Sequence, residues 1–189
     1  MKLQLEAMGL AMPEVAGHPN RLKFRGVLTL VGVASQHAPH GADGHRVVLS
    51  YQATEAALPS LLGMALDYSP AMDAHDAQRK IGIITQADIE PLDGDARTGK
   101  LAVSGFLYEK DFPEATREIL AGNGVLGMSY ELANAWVPDK SATIWTITKF
   151  TFTGAAVLRR DKAAYPQTWI SVGDGVIRTS PRIAAAALF

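Results

Sequence analysis

Residues 124–137 read Gly-Val-Leu-Gly-Met-Ser-Tyr-Glu-Leu-Ala-Asn-Ala-Trp-Val, and residues 143–153 read Thr-Ile-Trp-Thr-Ile-Thr-Lys-Phe-Thr-Phe-Thr. The second is dense in β-branched and aromatic residues, and Pro138-Asp139-Lys140-Ser141 lies between the two as a turn. They predict a long strand and its antiparallel partner. On the first strand, side-chain alternation puts Met128, Tyr130 and Leu132 on one face, the core face. Gly127, Ser129, Glu131 and Ala133 then share the other, polar or cleft-facing side.

Working outward, residues 22–34, 46–51, 80–87 and 100–108 also read as strands, with Gly26 and Gly32 marking bends in the first. Thr54 offers a cap for a helix over 55–66, with Pro59 as an alternative start, whose Leu58, Leu61, Leu62 and Leu66 share a face. Asp111 offers another for a helix that carries Pro113 and Glu114 in its first turn and ends at Gly122. The expected fold is α+β and mainly β: an antiparallel β-barrel or strongly bent sheet with two or three helices outside. Residues 1–20 read as an N-terminal arm or a loosely attached first strand, 21–166 as the barrel domain, and 167–189 as a C-terminal linker or tail.

Composition narrows the function. The 189 residues carry 18 basic against 19 acidic groups, so no cationic surplus suits nucleic acid or a membrane surface. Hydrophobic residues make up 48%, yet no run is long enough to span a bilayer, so a soluble protein is expected. With no cysteine there is no disulfide, thiolate metal site or cysteine nucleophile.

Chemistry must then come from other groups. A serine becomes a nucleophile when an imidazole takes its proton, and the pairing expected is Ser129 with His75. His75 sits in a loop, 67–76, bracketed by a predicted helix and strand. Asp76, next to it, points the opposite way on an extended chain, and its expected role is in the turn. His37, His40 and His45 lie in a Gly- and Pro-rich loop, 35–45, without the acidic partners that complete a metal site. No metal and no cofactor is expected. The elbow Gly-x-Ser-x-Gly is absent, since Glu131 stands where its second glycine would be.

Three segments in order resemble the prohead (capsid maturation) proteases of tailed bacteriophages, whose barrel is related to that of the herpesvirus assembly proteases. They are His-Asp-x-x-x-x-Ile-Gly from His75 to Gly82, the run Gly122-Asn-Gly-Val-Leu-Gly-Met-Ser129, and the closing strand 147–156 with Gly154-Ala155-Ala156. The resemblance covers roughly residues 22–165. It implies a serine endopeptidase with Ser129 as nucleophile and His75 as base. The implied substrates are the scaffolding segment, the removable arm of the major capsid protein and the protease itself. The implied setting is the host cytoplasm, inside the assembling procapsid, with the enzyme a homodimer or higher oligomer.

In that family a third residue on the closing strand, often acidic, orients the histidine; in herpesvirus relatives it is a second histidine. Here Lys149 and Thr151 fall nearest that place, and a lysine would repel an imidazolium. Three possibilities stand: a Ser–His dyad, an acid from elsewhere (Asp73, Asp76 or Glu131), or an inactive chain kept as an assembly or scaffolding module. For the oxyanion, the candidates are the backbone at Gly127 and, by resemblance, Arg159 and Arg160.

Overall fold

The computed structural model describes residues 8–173, apart from 14, 93, 94 and 123. In chain order the strands are β1 (Met8–Gly9), β2 (Leu22–Val31), β3 (Arg46–Leu49), β4 (Ala65–Tyr68) and β5 (Lys80–Leu92). They continue as β6 (Asp95–Leu107), β7 (Leu126–Trp136), β8 (Ile144–Ile147), β9 (Lys149–Arg159) and β10 (Trp169–Val172). Helix α1 (Tyr51–Ala57), with a 3₁₀ turn Leu58–Leu61, follows β3, and α2 (Pro113–Ala121) precedes β7. None of the described helices is long and apolar enough to cross a membrane.

The main sheet runs β10-β2-β6-β5-β4-β9-β7, with β1 added against β5, and curls into a half-barrel. Its interior is filled by Leu28, Leu66, Ile84, Leu101, Met128 and Phe152, all essentially without solvent contact. The curl brings β7 against β2 and β10. A Cβ at Gly26 of β2 would lie 2.4 Å from Trp169 O and 2.7 Å from Met128 Sδ, so only glycine admits this approach. The Met128 N–H donates to Thr168 Oγ1 at 3.1 Å across the same seam.

Several expectations are corrected. The sheet is not wholly antiparallel: β4 pairs parallel with β9, and β3 with β8 in a separate two-stranded sheet. The partner of β7 is β9, whereas Ile144–Ile147 leaves the predicted hairpin to join β3. Helix α1 is capped by Ser50, whose Oγ accepts from Ala53 N, and it is shorter than the predicted 55–66. Leu66 belongs to β4, because its apolar neighbours pair with β5 and β9 instead of continuing the helix. Phe112, not Asp111, stands at the N-cap of α2; the Asp111 carboxylate accepts from Asn20 Nδ2. Residues 169–172, expected in the tail, pair with β2. Met8–Gly9 pairs with β5, in keeping with the expected loosely attached first strand. The tail beyond 173 lies outside the described residues.

Candidate active site

Strand register assembles the site. Ser129 of β7 is opposite Ala156 of β9, Ala156 is opposite Asp67 of β4, and Asp67 is opposite Lys80 of β5. In-register neighbours share a face, so these four positions form one row across the sheet. Glu131 lies two residues beyond Ser129, and so on the same face. It faces Gly154, where a Cβ would come within 2.4 Å of Glu131 Oε2. The small-residue run Gly154-Ala155-Ala156 therefore leaves open space over β9, flanked by Ser129 and Glu131 on one side and Asp67 on the other.

His75 fills that space from the loop between β4 and β5. Its Nε2 is 3.0 Å from Ser129 Oγ, and its Nδ1 is 3.1 Å from Glu131 Oε1. Asp67 Oδ2 is 3.7 Å from the same Nδ1. The imidazole thus bridges a hydroxyl and a carboxylate with its two ring nitrogens. With Nδ1 protonated toward Glu131, Nε2 is left as the acceptor for the serine proton.

Asp67 is completely buried, whereas His75 and Glu131 keep 28% and 26% of their side chains in contact with solvent. A buried carboxylate costs several kcal/mol, on the order of a whole ion's desolvation, unless it is compensated. Here the Asp76 N–H donates to Oδ1 at 3.2 Å, and Lys80 Nζ donates to Oδ2 at 3.2 Å. Lys80 Nζ also lies 3.9 Å from Glu131 Oε2. Burial pushes the Asp67 carboxyl up, but its contacts with His75, Glu131 and the Asp76 N–H outweigh this and hold it below the usual range. For His75, burial works downward; the Asp67 and Glu131 carboxylates win and hold the imidazole above its ordinary value.

The other sequence candidates separate cleanly. Lys149 is opposite Trp136 and Thr151 opposite Ala133, far along the β7–β9 ladder from the Ser129–Ala156 pair. Neither approaches the imidazole, because the acid sits on the nucleophile's own strand. Asp76 acts in its turn, its Oδ1 accepting from Gln78 N and its Oδ2 3.5 Å from Arg79 Nε. The Arg159 and Arg160 N–H groups already donate, to Met72 O at 2.8 Å and Val125 O at 3.0 Å, so neither is free for an oxyanion. A Cβ at Gly127 would lie 2.4 Å from Thr168 Oγ1, so packing across the seam accounts for that glycine. Asp67 was not among the sequence candidates; an aspartate between Leu66 and Tyr68 in a strand was the available signal.

Comparison with family models, curated proteins and solved structures gave no match.

Asp67, His75 and Glu131 are the one group among the described residues with three potential metal ligands close together. Lys80 argues against a cation there, since its ammonium already lies beside both carboxylates. The histidine loop builds no such group; His45 instead stacks on Trp145 at 4.4 Å and approaches Thr143 O.

Proposed function

We propose that this chain is a serine endopeptidase of the prohead-maturation type, sharing the herpesvirus-protease barrel plan. Ser129 attacks a peptide carbonyl while His75 takes the hydroxyl proton and passes it to the leaving amine. Glu131 holds the imidazole in the reactive tautomer and stabilises the imidazolium that forms. The observation that carries the reading is His75 bonded at once to Ser129 Oγ and Glu131 Oε1. It supplies the acid that the closing strand lacks. The half-exposed setting of all three groups suits an extended polypeptide better than an enclosed small molecule. On this reading the substrates are the scaffolding segment, the capsid-protein arm and the chain itself, acted on inside an assembling shell by a dimer or larger assembly.

A fluorophosphonate tests it directly. Ser129 is expected to be labelled stoichiometrically, with the adduct located by mass spectrometry. A purified chain that stays unlabelled across about pH 6 to 9, a range over which the imidazole gives up its proton, would leave an assembly module without catalysis as the better account.

Gly154→Ala adds a geometric test. Its new methyl meets the far end of Glu131 and no backbone atom within 3.4 Å. Stability should change by less than about 1 kcal/mol, while labelling slows at least roughly tenfold as the carboxylate is pushed from Nδ1. Urea unfolding and labelling rates read the two separately.

A further inference from the structure

Two carboxylates face one imidazole nitrogen, and they are not equivalent. Glu131 reaches Nδ1 at 3.1 Å, whereas Asp67 stops at 3.7 Å. The difference has a visible cause. The Asp67 oxygen nearest the imidazole, Oδ2, is also the one that accepts from Lys80 at 3.2 Å, and Oδ1 is taken by the Asp76 N–H. Lys80 is the cross-strand neighbour of Asp67, so the contact is built into the sheet register.

We propose that Lys80 is a positioning residue for His75: its ammonium restrains Asp67 short of the imidazole and offsets one of the two facing carboxylates. The inference rests on the protease reading for its purpose, since a general base must be neutral to accept a proton. Two uncompensated carboxylates would bind the imidazolium so firmly that little neutral base remained near pH 7. With Lys80 present, the cluster carries one net negative charge, enough to orient the ring and stabilise the imidazolium during attack. The charged groups facing His75 are Asp67 from β4, Glu131 from β7 and, behind Asp67, Lys80 from β5. Asp76, in the same loop, is turned toward Gln78 and Arg79.

The test is the titration midpoint of the His75 C2–H resonance in the full chain, assigned by its loss in His75→Gln. Lys80→Met is expected to raise the midpoint by about one pH unit, and Lys80→Arg to leave it near the starting value. The acid limb of fluorophosphonate labelling should move to higher pH with it. Should Lys80→Met not fold, Lys80→Gln removes the charge while keeping a hydrogen-bond donor for Asp67 Oδ2. That variant must then titrate higher. A midpoint that stays put or falls on loss of Lys80 overturns the proposal. The resonance needs no turnover to be read. A shifted midpoint beside an unreactive Ser129 sinks only the protease reading, and a reactive Ser129 with an unmoved midpoint sinks only this one.

Discussion

Ser129→Ala is expected to lose about four to six orders of magnitude in turnover and to abolish cleavage of the chain by itself. The readouts are hydrolysis of a p-nitrophenyl ester and self-cleavage followed by gel and mass spectrometry. His75→Ala should lose nearly as much, because an unassisted serine hydroxyl is a weak nucleophile near neutral pH. The informative variant is the double one. Residues that act as a unit are strongly non-additive, so Ser129→Ala/His75→Ala should be scarcely worse than either single change. Losses that multiplied would mean that the 3.0 Å contact between Nε2 and Oγ is not used in the reaction. Unfolding midpoints should stay close to the parent's for Ser129→Ala, since it removes one half-exposed hydroxyl and no core volume.

The serine and histidine were legible in the sequence for a definite reason. Alternation along 124–137 decides which face Ser129 occupies once Met128, Tyr130 and Leu132 are assigned to the core, and Met128 is indeed buried. The same alternation already put Glu131 beside Ser129, but nothing local ranks it above Asp76 as a partner for His75. That choice depends on the loop returning over β9, which is a property of the folded sheet.

Asp67 was harder to see. Its strand is four residues long and pairs in parallel with β9 nearly ninety positions away, a long-range contact with no local signature. The leucines of 58–66 fit a helical stripe equally well, so the pattern extends a helix into residues that belong to β4. Lys149 and Thr151 failed for a related reason. The closing strand was expected to carry the orienting group, yet its share of the site is the empty volume above Gly154 and Ala156. A small-residue run reads in a sequence as a missing function, and here it is room for an imidazole. The fold class was recoverable because most strands announce themselves by alternation. The two parallel pairings were not.

Glu131→Gln should cost about two to three orders of magnitude in rate and move the pH profile in a specified direction. The reacting form of His75 is the neutral one, so activity climbs as pH rises through the imidazole's pKa. That pKa is held above its ordinary value of 6.5, mainly against burial, by Asp67 and Glu131. Replacing Glu131 by an amide withdraws one of these charges and favours the neutral ring. The acid limb should therefore shift to lower pH even as the plateau falls. The plateau falls because an amide can donate to Nδ1, which turns the Nε2 proton toward Ser129 and blocks acceptance. The loss should stop short of the roughly ten-thousandfold typical of a missing triad acid, because Asp67 remains 3.7 Å from Nδ1. Stability carries the same sign. A raised histidine pKa contributes fully below about pH 6.5 and fades as pH climbs through the folded value. Glu131→Gln should thus lower the unfolding midpoint more at about pH 6 than at a pH above the folded imidazole's pKa, where this contribution has faded. A pH profile that keeps its acid limb, or moves it upward, would place the Glu131 carboxylate outside the electrostatics of His75 despite their 3.1 Å contact.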